Sequence, residues 1–120
     1  MKEKKISLDQ SFKNAVDLHT KGKIIEAKNI YEKILNIKPD HFLSLSNLGI
    51  VFSQLKESNK AVELFNKAIK INPRHAETHY NLGNIYRELG DYKKSIKLYK
   101  DAININSNYI SAFINLSISL

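Results

Sequence analysis

A chain of 120 residues with 42% hydrophobic content has the size of one domain and enough apolar material for a core. It contains no cysteine, which excludes disulfides and thiolate metal sites, and its formal charge of +7 raises the question of an acidic partner. No run approaches the roughly 18 apolar residues of a membrane span, and the charged start MKEKKISLDQ leads into no apolar segment of a secretory kind, so a cytoplasmic location is expected.

Residues 1–7 read as a polar tail, and helical spacing of apolar residues begins at residue 8. The first unit is the most irregular in its opening run, with Ser11, Asn14, Ala15 and Leu18. Its second run, with Ala27, Tyr31 and Ile34, is regular and ends at Pro39. The second unit places Leu45, Leu48 and Phe52 at steps of three and four, then Ala61, Leu64, Phe65 and Ala68 in the same way. The third offers His79, Leu82, Gly83 and Tyr86, then Ser95, Tyr99 and Ala102. A last run holds Phe113, Leu116, Ser117 and Leu120. Each run predicts an amphipathic helix of about 13 residues. The stretches TKGK, KESN and LGDY are turns within units, with Gly22 and Gly90 suited to a left-handed helix cap. NIKPDH and KINPRH separate the units, each with a proline that ends the helix before it.

The units repeat at a fixed interval of 34 residues. Pro39 and Pro73 keep that interval, as do Gly49 and Gly83, and Ala68 and Ala102. So do Asn47, Asn81 and Asn115; Leu48, Leu82 and Leu116; Tyr31, Phe65 and Tyr99; and Ala27, Ala61 and Ser95. The small residues have a steric role: Gly49 and Gly83 in first helices, with Ala27 and Ala61 in second helices, let two backbones approach while an aromatic fills the gap beside them.

This order of residue types resembles the tetratricopeptide repeat (TPR) family, whose unit carries a large residue, Leu-Gly and Tyr, then Ala, an aromatic, Ala and Pro. In the second unit these are Leu45, Leu48, Gly49, Phe52, Ala61, Phe65, Ala68 and Pro73. Asn14 for Leu and Ser107 for Pro depart from the pattern and are expected to loosen single joints. The resemblance covers residues 8 to 120 and implies an all-α, right-handed TPR solenoid of antiparallel helix hairpins. It would contain full repeats at 8–41, 42–75 and 76–109 and the first helix of a fourth at 110–120. Phe113, Leu116 and Leu120 would then lack a second helix to face, which suits either a piece of a longer protein or pairing with a second copy through the uncapped end.

The resemblance also implies that first helices line a concave groove while second helices and turns lie outside. Ser46 and Arg87 are among the implied lining positions. Leu43, Ile50, Tyr80 and Ile114 would supply apolar contact there. Asn47, Asn81 and Asn115 would form a row, with Asn84 beside it, and a primary amide can both donate to and accept from an extended backbone. Such a row resembles the peptide-holding device in the TPR arm of protein O-GlcNAc transferases. The opposing reading is that these amides only bond neighbouring helices.

The lysines, among them Lys28, Lys60, Lys67, Lys94 and Lys97, fall on second helices or turns, which suits a solvated surface better than a nucleic-acid stripe. The clamp with which some TPR domains hold Hsp70 or Hsp90 tails is not expected, because its positions carry Phe12, Val16, Glu77 and Asn81 rather than cations. His75 and His79 stand four apart, yet one lies in a turn and the other in a packing slot, so no metal and no cofactor are expected. No nucleophile, base and orienting group come together, and carboxylates such as Glu57, Glu63 and Glu88 fall on polar faces. The expected function is non-catalytic recognition of a protein or extended peptide in the groove. The alternatives are a substrate-recruiting arm of a larger glycosyltransferase or sulfotransferase, and a self-assembly module.

Overall fold

A computed structural model describes residues 6–120, so most of the tail expected at 1–7 lies outside the described residues. Seven helices follow one another: α1 Leu8–Thr20, α2 Ile24–Ile37, α3 Phe42–Gln54, α4 Ser58–Ile71, α5 Ala76–Glu88, α6 Tyr92–Ile105 and α7 Ile110–Ser119. The described residues contain no strand. Helices touch chiefly their neighbours in the chain, and α3 also reaches α5. The result is a rod of 61 × 25 × 22 Å whose radius of gyration, 15.5 Å, exceeds the about 14 Å of a globular domain this long. It is an all-α solenoid.

The two helices of a pair are drawn together over a glycine. A Cβ placed on Gly49 would lie 2.7 Å from the Phe65 ring, and one on Gly83 would lie 2.8 Å from the Tyr99 ring. The ring of the second helix therefore rests on bare backbone. Ala27, Tyr31, Ala61, Phe65, Ala68, Tyr99 and Ala102 are fully buried, and Leu48 and Leu82 nearly so. Ser95 stands at the register of Ala27 and Ala61, equally buried, with its hydroxyl unpartnered among the described residues.

All three turns within pairs share one geometry. The amides of Gly22, Lys56 and Gly90 donate to His19, Ser53 and Arg87, and those of Lys23, Glu57 and Asp91 donate to Leu18, Phe52 and Tyr86, at 2.8–3.1 Å. That double closure is the Schellman motif, which requires a left-handed residue. Gly22 and Gly90 have φ of 81° and 82°, and Lys56 adopts φ of 61° without a glycine's freedom. Between pairs, Lys38 and Asn72 take the extended backbone that a following proline demands. Asn106 has nearly the same φ and ψ although Ser107 follows it. The joint expected to be loose is held by an Asx turn, in which Asn106 Oδ1 accepts from the Asn108 amide at 3.0 Å.

The turn histidines start the next helix. His41 Nδ1 accepts from the Ser44 amide at 3.2 Å and lies 2.7 Å from the Ser44 hydroxyl, while His75 Nδ1 lies 2.8 Å from the Thr78 hydroxyl. His79 fills its packing slot and bonds the Pro73 carbonyl through Nε2 at 2.8 Å.

Two outcomes are expected. Lys56→Gly relieves a left-handed residue and should stabilise the chain by about 0.5–1 kcal/mol, raising the melting temperature by roughly 2–4 °C in a circular dichroism melt. An unchanged or lower melting point would contradict the strain. Burial lowers the His41 pKa below the ordinary 6.5, and Lys38 lowers it further, against opposing effects of Asp9 and Asp40. The unfolded chain therefore takes up this proton first as the pH falls, so stability is complete above the ordinary value and declines below it. His41→Asn, which can still accept from the Ser44 amide, should flatten that decline in melts from pH 7.5 downward.

Candidate functional site

The odd-numbered helices carry amides that meet the hydroxyls of the buried rings. In the first pair the Tyr31 hydroxyl accepts from Asn47 Nδ2 on α3 at 3.3 Å and lies 3.4 Å from His19 Nδ1. His19 Nε2 in turn meets Gln54 Oε1 at 2.8 Å. Burial raises the Tyr31 pKa, partly offset by the Asn47 bond, so the ring stays a neutral phenol. In the third pair the Tyr99 hydroxyl donates to Asn84 Oδ1 at 2.6 Å. Asn115 on α7 donates through Nδ2 to Asn84 Oδ1 at 2.9 Å and to the Tyr80 hydroxyl at 3.1 Å. Tyr80 stacks against Tyr109 with ring centroids 5.0 Å apart, and burial, with Glu77 and Tyr80 adding to it, raises the Tyr109 pKa to about 12.

The second pair differs. Phe65 stands at the register of Tyr31 and Tyr99 and carries no hydroxyl. Asn81 is placed relative to Phe65 as Asn47 is to Tyr31, and its half-buried amide makes no side-chain hydrogen bond among the described residues. At the register of Asn84, which meets the Tyr99 hydroxyl, the second unit has Ile50 and the first has Val16, and the Tyr31 hydroxyl is met by Asn47 instead.

The residues expected to line the groove thus fall into groups. Asn84, Asn115 and Tyr80 are joined in one network, Asn47 belongs to a separate one with Tyr31, and Asn81 stands between them. Leu43, at 48% exposure, and Ile114, at 54%, present apolar surface, and Ile50 is half-buried. Ser46, expected on the lining, is instead 6% exposed with its hydroxyl unpartnered among the described residues. A polar cleft of about 470 Å³ opens beside Asn84 and Asn115, bounded by Arg87, Glu88 and Tyr92. Sequence reasoning did not single out Tyr92 or the His19–Gln54 contact, which arises from register between α1 and α3. The interval of sixteen residues that relates Tyr31 to Asn47 recurs from Phe65 to Asn81 and from Tyr99 to Asn115, but only Tyr31 and Asn47 bond each other across it.

The lysines among the described residues lie mainly on second helices and turns, and six of them form ion pairs within single helices or their caps, such as Lys67 with Glu63 at 3.3 Å, Lys60 with Glu57 at 3.2 Å and Lys97 with Asp101 at 2.9 Å. Such exposed pairs contribute little stability. Among the described residues no helix is long and apolar enough to cross a membrane, and no group of three or more His, Asp or Glu could hold a metal.

A tetratricopeptide repeat model matches residues 76–109, a second matches 18–41, and a TPR repeat model matches 54–86, which together take in more than half of the chain. No curated protein matches it. Among solved structures, a Thermobaculum terrenum O-GlcNAc transferase mutant superimposes with a TM-score of 0.89 at 24% identity, over 94% of this chain and 22% of that one. MamA from Desulfovibrio magneticus RS-1 gives 0.87 at 20% identity, over 94% and 64%. The first TPR of Spaghetti (RPAP3), bound to the HSP90 peptide SRMEEVD, gives 0.89 at 19% identity, over 93% and 89%. At these identities the likeness is one of fold, and the chain spans less than two thirds of the transferase and of MamA.

The matched ring and underlying residue make an exchangeable pair. Tyr99→Phe should cost about 1 kcal/mol in urea unfolding by removing a buried hydrogen bond. Adding Asn84→Ile, which reproduces the Phe65–Ile50 pair one unit later, should recover part of that loss. Strictly additive losses would refute the coupling.

Proposed function

We infer a binding role from one premise: the chain belongs to the tetratricopeptide repeat family. We propose that it is a non-catalytic scaffold whose odd-numbered helices form the groove that holds an extended segment of another protein. A backbone laid along that groove needs a partner that can donate and accept at one point, and a primary amide does both.

The observation that carries this reading is the state of Asn81. Its counterparts Asn47 and Asn115 are engaged by phenols of the fold itself, whereas Asn81 faces a ring without a hydroxyl and keeps its hydrogen-bonding capacity. Half-buried between the apolar surfaces of Leu43, Ile50, Tyr80 and Ile114, it is well placed to hold one peptide unit. Asn47, Asn84 and Asn115 then act mainly by fixing the walls. The ligand differs from an Hsp70 or Hsp90 tail in the way it is held, because Phe12, Val16, Glu77 and Asn81 supply no cation to a terminal carboxylate.

The test is selection of peptides on the immobilised chain followed by calorimetric titration of variants. Asn81→Ala should weaken a selected peptide about tenfold, near 1.4 kcal/mol, with little change in melting temperature. Phe65→Tyr, which provides the missing hydroxyl, should weaken it in the same direction by occupying the amide. Asn47→Ala should instead cost about 1 kcal/mol of stability by stranding the Tyr31 hydroxyl. Undiminished binding by Asn81→Ala would refute the role given to that amide.

A further inference from the structure

The cleft beside the Asn row has a chemical polarity fixed by its own hydrogen bonds. Asn84 Oδ1 accepts from both the Tyr99 hydroxyl and Asn115 Nδ2, so the carbonyl end of that amide is turned inward and its NH₂ is left for the cleft. Both N–H groups of Asn115 are likewise committed, to Asn84 and Tyr80, leaving its Oδ1 as an acceptor in a side chain that lines the same cleft. Arg87 lies three residues after Asn84 on α5, hence on the same side of the helix. It is half-buried and makes no ion pair among the described residues. The α5 side of the cleft therefore presents a planar guanidinium and an amide NH₂, with the exposed Glu88 carboxylate at its border.

We propose that this cleft is a subsite for a carboxylate side chain, aspartate or glutamate, of the peptide held in the groove. The inference rests on the peptide-binding reading above and adds to it a residue preference. A guanidinium fork and a neighbouring N–H match the two oxygens of a carboxylate, and Arg makes such bidentate bonds better than any other side chain. The acceptor in the same cleft, Asn115 Oδ1, suits a backbone N–H of the same ligand. Glu88 also borders the cleft, but it is exposed, and water screens its charge more than that of the half-buried Arg87. The chain's charge of +7 draws acidic segments toward it from a distance, and the cleft then fixes where the acid sits. A peptide running along the groove presents side chains rather than its end to this cleft, so a side-chain carboxylate is the occupant.

The experiment uses a randomised peptide library with amidated C-termini, selected on the immobilised chain, and then titration of a selected peptide and its glutamine analogue. Selected peptides should carry Asp or Glu at one register, and the change to glutamine should weaken binding about tenfold on the unaltered protein. On Arg87→Gln the same change should have little effect. Asn84→Asp retains the oxygen that Tyr99 and Asn115 need, so it should melt at or above the original temperature while losing the preference for acid. A large drop in its melting temperature would mean that the amide is oriented the other way, and would overturn the proposal. Peptides that bind through Asn81 without an acidic preference would overturn this inference and leave the groove reading intact. Failure to select any peptide would remove both. A preference appearing only when the peptides have free C-termini would show that the cleft takes a chain end, against the assignment to a side chain.

Discussion

Everything in this rod depends on how closely the second helix of a pair approaches the backbone of the first. At Gly49 and Gly83 the approach leaves less than a normal contact distance for even one methyl group. An aromatic ring from the facing helix fills that contact and, where it is a tyrosine, its buried hydroxyl bonds a first-helix amide. The close approach therefore also decides which first-helix amides are engaged by the core.

From this follows the alternation in the Asn row. A buried phenol needs a partner, because an unpaired buried hydroxyl costs about 1–3 kcal/mol, and a first-helix amide supplies it, Asn47 of the next pair for Tyr31 and Asn84 of the same pair for Tyr99. Tyr31 and Tyr99 each draw such an amide into the structure. Phe65 makes no such demand, and the hydrocarbon Ile50 lies where Asn84 lies in the next unit. One core oxygen thus separates Asn47, bonded to Tyr31, from Asn81, which has no such ring hydroxyl to meet, whereas Asn115 is held by Tyr80 and Asn84. On the function proposed above, the structural and ligand-binding readings of the Asn row apply to different members of it.

The repeat was legible because its signals are steric and local. Gly49 and Gly83, the alanines, the rings and Pro39 and Pro73 recur at one interval, and each has a single conformational consequence. Less legible was how a missing signal is replaced. Lys56 takes the left-handed position that Gly22 and Gly90 occupy, and Asn106 keeps the joint geometry without a proline, because the surrounding hydrogen bonds impose those backbones regardless of residue type. Ser46, expected on the lining, is covered because packing against neighbouring helices, which periodicity does not specify, decides which positions of a helix face stay exposed. Asn84, Arg87 and Asn115 were expected on the lining by resemblance, but Tyr92 and the way these residues close a polar cleft were not. Its walls join the end of α5, the start of α6 and the middle of α7, and only the donor and acceptor assignments of three side chains give that space a sign.

The distribution of charge completes the argument about specificity. Many lysines on second helices and turns are paired within their own helices or caps, so they raise the overall potential without organising a site. A potential of that kind decides which molecules approach, since it acts over a Debye length and is indifferent to geometry. Discrimination at contact requires groups that are few, partly desolvated and oriented by neighbours. On this face those conditions are met at Arg87 with Asn84, where the amide is held by two bonds to its oxygen, while Asn81 is half-buried with no side-chain hydrogen bond among the described residues. A scaffold built from repeats would otherwise offer the same contact at every step and hold a ligand in several registers equally well. It is the departures from the repeat, Phe65 in one unit and Asn84 with Arg87 in the next, that can give a bound chain a single register.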